Sequence, residues 1–100
     1  MLELALSEAR AAAGELVHGR VRTLHETASI AVELVRVEQS PSGSATYLVA
    51  SAAVADDGSF ALAVPPDALP DVVGRECALH YTVRVVAGHE EARQAFAVAP

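Results

Sequence analysis

Tryptophan is absent from this 100-residue chain, and phenylalanine and tyrosine occur twice each. Apolar residues make up 52% of the chain but aromatics only 4%, so a core has to be assembled from Val, Leu, Ile and Ala. Cysteine occurs once, as Cys77. That excludes an internal disulfide and suits a reducing compartment. Basic residues are scarce, 7 against 13 acidic ones, and the formal charge is −6. An acidic surface repels phosphate backbones, which argues against a nucleic-acid partner. No apolar run approaches the roughly 20 residues of a membrane-spanning helix. The opening MLELALSEAR carries no basic segment ahead of an apolar run, so it does not read as a secretory signal. The expectation is a cytoplasmic chain without a membrane span. One hundred residues is the length of one domain, here 1–100, able to bury roughly two-thirds of its unfolded surface.

What is present is alternation. In 28–39, ASIAVELVRVEQ, residues Ile30, Val32 and Leu34 share one face, and Ala31, Glu33, Val35 and Val37 the other. Side chains change face at every residue of a strand, so period two predicts a sheet. Residues 44–54, SATYLVASAAV, form a second β-rich run, with Tyr47, Val49 and Ala53 on one face and Leu48, Ala50, Ala52 and Val54 on the other. Asp56, Asp57 and Gly58 are a turn signal, and Phe60, Leu62 and Val64 follow at spacing two, which predicts a hairpin of strands 44–54 and 59–64. Further strands are predicted at 16–24 (Val17 and Val21 inward), at 77–87 (Leu79, Tyr81, Val83 and Val85 inward) and in the closing ARQAFAVA (Phe96 and Val98 inward), the last two joined by a turn at Gly88-His89. The start is ambiguous. LELALSEARAAAGEL is rich in strong helix formers, with Gly14 placed like a C-cap. Yet Leu2, Leu4 and Leu6 alternate with Glu3, Ala5 and Ser7. We assign a strand to 2–7 and an irregular or extended crossing to 8–14, where a helix stays the alternative.

Between the strands lies VPPDALPDVVG, 64–74. Proline lacks an amide hydrogen and cannot sit inside a ladder. The segment therefore reads as a coil crossing one end of a two-sheet sandwich, with Leu69 as a plug and Gly74 permitting a turn. A proline-rich recognition peptide is the competing reading, but only Arg75 flanks it closely. About seven short strands, turn signals between them and no convincing helix predict an all-β, immunoglobulin-like antiparallel β-sandwich. Its expected core is Val17, Val21, Ile30, Val32, Leu34, Phe60, Leu62, Tyr81, Val83 and Phe96.

The order of the pieces resembles an arrestin-like domain, of the type found in arrestins and bacterial sporulation-control proteins. Leu6 is followed by Gly14-Glu15, then Leu16, Val17, Gly19 and Val21; Ile30, Val32, Leu34 and Val37 resemble the family's third strand. Asp57-Gly58, Phe60 and Leu62, the run Pro65 to Pro70, Gly74, and Leu79, Tyr81 and Val83 follow in family order. The resemblance covers 2–98. It implies a single arrestin-like sandwich acting as a binding or scaffold module. The chain departs from the pattern at Ala11, Ala12 and Ala13, where the family carries apolar-aromatic and proline residues. It also has no basic cluster: Arg10, Arg20, Arg22, Arg36, Arg75, Arg84 and Arg93 are scattered, so phosphate sensing is not implied.

Chemistry-bearing residues do not assemble into a motif. His18, His25, His80 and His89 have no ligand spacing. Cys77 at a strand start reads as a packing residue rather than a nucleophile. Asp56-Asp57-Gly58-Ser59 supplies too few oxygens for calcium and reads as a turn. His25-Glu26 belongs to no triad. The expectation is a non-catalytic module with no catalytic, cofactor-binding or metal-ligating residues and no cofactor, and an enzyme is the remote alternative. Its partner would be another protein, or the chain itself in a homo-oligomer or larger assembly, met through an edge strand or exposed apolar face. Span 44–54, uncharged and apolar on both faces, is the candidate.

Overall fold

A computed structural model of the chain describes residues 1–24, 30–74 and 76–100. Among these residues there are nine strands and no helix: β1 (Leu2–Leu6), β2 (Arg10–Ala12), β3 (Leu16–Thr23), β4 (Ala31–Ser40), β5 (Gly43–Ala53), β6 (Ser59–Ala63), β7 (Val72–Val73), β8 (Ala78–Ala87) and β9 (Glu90–Ala99). They form a β-sandwich. A three-stranded sheet of order β1-β3-β6 packs on a six-stranded sheet of order β2-β9-β8-β4-β5, in which β7 also pairs with β8. All pairs are antiparallel except β2 with β9, where Arg10–Ala12 runs parallel to Ala97–Ala99. Residues 28 and 29 of the strand expected at 28–39, and the pair His25-Glu26, lie outside the described residues.

The ten residues expected in the core are all buried and form one cluster, joined by Val54, Val64, Val85, Val98, Ala11 and Ala87. Of the ten, all but Ile30, which immediately precedes β4, come from the inward side of an alternating strand, the pattern a sheet buried on one face imposes. The start of the chain is a strand, not a helix. Leu2, Leu4 and Leu6 turn toward the core while Glu3 and Ala5 face out. A helix would have buried only the Leu2–Leu6 pair. Gly14 is no helix cap but part of the turn from β2 into β3. There Glu15 closes the turn twice: its backbone N–H donates to the Ala12 carbonyl at 3.1 Å, and its carboxylate accepts from the Ala12 N–H at 2.6 Å.

One expectation about connectivity fails. Strands β5 and β6 are not a hairpin, because β6 pairs with β3 in the smaller sheet while β5 pairs with β4 in the larger. Asp57-Gly58 is therefore a corner that carries the chain between layers. The Gly58 carbonyl accepts from the Val21 N–H at 2.7 Å, and Gly58 holds a φ of 89°, where a Cβ would collide with the Val21 carbonyl oxygen. The Asp57 carboxylate fixes the corner by accepting from the Ser59 N–H at 3.0 Å and from its hydroxyl at 2.6 Å. The strand count is also higher than the expected seven, because β2 and β7 are too short to show a period.

The 64–74 segment crosses from the smaller sheet to the larger, but not wholly as the expected coil, since Val72–Val73 form β7 on β8, and Leu69 is not the plug. Its side chain is half exposed, and Ala68 packs on the core instead. What anchors Leu69 is its carbonyl, which accepts from the buried Tyr81 hydroxyl at 2.6 Å. Asp71 ties the crossing to β9, accepting from the Val98 N–H through its carboxylate at 2.9 Å and donating its own N–H to the Val98 carbonyl at 3.1 Å. Prolines lower the entropy lost on ordering this crossing, and Tyr81 and Asp71 supply the bonds that hold it.

Candidate functional site

The two sheets differ in length. Strands β4, β5, β8 and β9 have ten or eleven residues, whereas β1, β3 and β6 have five, eight and five, or roughly 33 Å against 17–27 Å of extended chain. The larger sheet therefore overhangs the smaller. On its inner face the overhang carries two rows that follow from the registers. Val72, Leu79, Glu38 and Ala45 lie side by side across β7, β8, β4 and β5; Tyr81, Arg36 and Tyr47 form the next row. Arg36 is held in place twice. Its guanidinium lies over the Tyr47 ring, 4.9 Å from the centroid, and its Nε donates to Glu38 at 3.0 Å. A groove of about 490 Å³ runs over this overhang, walled by Tyr47, Val72 and Leu79 and by the polar backbone and hydroxyls of Ser40 to Ser44.

The groove opens onto a free sheet edge. β5 pairs only with β4. All six residues Gly43–Leu48 are exposed, with Tyr47 46% and Leu48 60% accessible. No residue from Gly43 to Ala53 is Asp, Glu, His, Lys or Arg, and all seven Lys or Arg positions of the chain are arginines, so the lysine that commonly protects an edge is missing. A bulge is the one protective device. Opposite the consecutive β4 residues Leu34 and Val35 stand Ala50 and Leu48, so Val49 is an extra residue on β5. The bulge corrects the face assignment made from alternation. Tyr47 stays on the inner face, Leu48 is outward, and Val49, Ala50 and Ala52 all pack against the core. The outward side chains of β5 are those of Ser44, Thr46, Leu48, Ser51 and Ala53.

The remaining sequence candidates fall apart in space. His18 is exposed on the outer face of the smaller sheet, His80 sits on the outer face of the larger, His89 is in the exposed β8–β9 turn, and His25 lies outside the described residues. Among the described residues no three His, Cys, Asp or Glu side chains converge as metal ligands would. Cys77 does not pack. It is exposed at the rim of the groove. One grouping was not visible in the sequence: Arg20, Arg22 and Arg93 line a second groove of about 370 Å³ between β1 and β9, beside Glu3. These arginines come from β3 and β9, which only the sandwich brings together. Among the described residues two titrations shift. Burial, first among its causes, raises the Tyr81 hydroxyl, and hydrogen bonds from Ser59 hold the Asp57 carboxyl below the usual aspartate range.

No protein-family model matches this sequence, and no curated protein matches it either. The site's own geometry has to carry the functional reading. It offers an unpaired backbone ladder beside a groove of mixed polar and apolar lining, with one aromatic and one internally neutralised ion pair. An exposed sheet edge beside a groove is the geometry of strand addition, in which main-chain bonds supply attachment and pockets for alternate side chains supply selection.

Proposed function

We propose that this chain is a non-catalytic protein-binding module of arrestin-like type that takes up an extended segment of a partner by strand addition at β5. The observation that carries it is the exposed, uncharged run Gly43–Leu48 at the edge of the larger sheet. The order of motifs that resembles arrestin-like domains, together with the two-sheet sandwich, supports the module type. The alternative, a structural subunit of a homo-oligomer, draws on the same edge. A cytoplasmic setting fits a chain whose lone thiol, Cys77, is exposed. No helix among the described residues is long and apolar enough to cross a membrane.

A photo-crosslinking side chain at Leu48 tests the reading, with one at Ala61 as the control on the exposed outer face of the other sheet. Discrete cross-linked products at Leu48 and none at Ala61, lost when Thr46 becomes lysine, are the expected result. Equal capture at both positions would refute strand addition.

A further inference from the structure

We infer that β5 pairs antiparallel with the β5 of a second copy about a two-fold axis between the two Thr46 residues, so that the larger sheet runs on through both molecules. This rests on the strand-addition reading and names its partner. The first support is charge. Two copies of a chain of charge −6 repel at long range, yet this edge brings no like charges face to face. Gly43–Ala53 contains no Asp, Glu, His, Lys or Arg. On the next strand, β4, Arg36 is bonded to Glu38. Two β4 strands facing each other across a β5–β5 junction would lie three strand spacings apart, roughly 14 Å, beyond the screening length of about 8 Å at physiological salt. A charged partner finds nothing here to pair with, whereas a second copy needs nothing.

The second support is symmetry. A two-fold axis perpendicular to a sheet keeps each face continuous and requires one residue to face its own copy. The exposed run available for this is Gly43–Leu48, limited by the Pro41-Ser42 turn on one side and the Val49 bulge on the other. Centring on Thr46 pairs Ser44 through Leu48 entirely within the strand. Tyr47 then stands opposite Ala45 of the second copy on the inner face, and Leu48 opposite Ser44 on the outer face, large against small on both sides. Centring on Ala45 instead sets Leu48 against Ser42, in the turn, where the ladder has ended. The pairing is short. A standard interface takes about 800 Å² from each partner, more than a five-residue ladder with two large side chains supplies. The dimer is therefore a weak one that fills with rising concentration.

The test is register-specific cross-linking in a Cys77→Ser background, which removes the exposed native thiol. Opposed Thr46→Cys residues would have Cα atoms about 4.5–5.5 Å apart, within disulfide reach. Ser51→Cys is also exposed on the same strand but lies beyond the bulge. Under mild oxidant the Thr46→Cys chain should form dimer at least about tenfold faster than the Ser51→Cys chain. The wild-type mass by light scattering should rise above 10.4 kDa with concentration, and Thr46→Lys, with an unchanged circular dichroism spectrum, should hold at the monomer. Equal oxidation rates at the two positions, or a wild-type chain that stays monomeric to millimolar concentration, would overturn the pairing. If that monomer still gives products from the Leu48 crosslinker, only the second copy is refuted and strand addition stands; if it gives none, both fall.

Discussion

Replacing Gly19 by alanine sets two effects of opposite sign against each other. Gly19 lies in the middle of β3, opposite Leu6 on β1 and Phe60 on β6. An unobstructed strand gains about 0.5–1 kcal/mol from such a change, because glycine loses more backbone freedom on folding. Here the space is occupied. A Cβ at this position would overlap Cζ of the Phe60 ring, approach its Cε1 to 2.7 Å and stand 2.6 Å from the Ala5 carbonyl oxygen. The ring is buried and the carbonyl belongs to a paired strand, so neither can step aside freely. Overpacking of this kind costs about 1–3 kcal/mol. Crowding outweighs propensity, and Gly19→Ala should destabilise by about 1–2 kcal/mol, lowering the melting temperature by roughly 5–15 °C. Urea titration with an unchanged m-value is the assay. The same substitution in a Phe60→Leu background should cost less, with a coupling of about 1 kcal/mol. A rise in the urea midpoint for Gly19→Ala alone would show that the ring does not lie over the glycine.

Three further outcomes can be measured. Phe60→Ala should lose about 3–5 kcal/mol in the same titration, as buried Phe truncations do; a near-zero change would mean the side chain is exposed. Tyr81→Phe removes the bond to the Leu69 carbonyl and should cost about 1–2 kcal/mol, with faster amide exchange in 66–74 than in β4; uniform exchange would show that the hydroxyl does not anchor the crossing. Asp57 has a lowered folded-state pKa, so its contribution is complete above the ordinary aspartate value of about 4 and is lost as the pH falls through the lowered one. Asp57→Asn should flatten stability across that acid window, and an unchanged pH profile would show that the carboxylate does not hold the corner.

The core could be read from the chain because each of its strands buries one face, and period two then marks Val32, Leu34, Tyr81 and Val83 directly. The partner of β6 could not. Nearness in sequence favours β5, and only closure of the sandwich hands β6 to β3. The Val49 bulge leaves no trace in an Ala-rich run, where moving the register by one exchanges one small side chain for another. β7 is hidden inside the proline segment. The uncharged edge strand was legible as a missing charge. The groove beside it was not, since it exists only because the two sheets differ in length. The arginines of β3 and β9 likewise meet only across the gap between layers.

The uneven connectivity of the two sheets also sets an order in time. Within the larger sheet, β4–β5 and β8–β9 are each closed by a two-residue turn, Pro41-Ser42 and Gly88-His89. Nothing comparable exists in the smaller sheet, where Leu16 must find Ala63, and the parallel pairing of Arg10 with Ala97 closes nearly the whole chain. Loop-closure entropy favours the hairpins as the folding nucleus and leaves the β1-β3-β6 layer to dock late. Substitutions at Gly88 should then slow refolding, while Gly19→Ala should act mainly by hastening unfolding. The reverse partition in a chevron plot would place the nucleus in the smaller sheet. Until that layer docks, the inner faces of β4 and β8 stay uncovered, and the β5 edge, with no charged residue to deter pairing, is where two half-folded chains would first adhere.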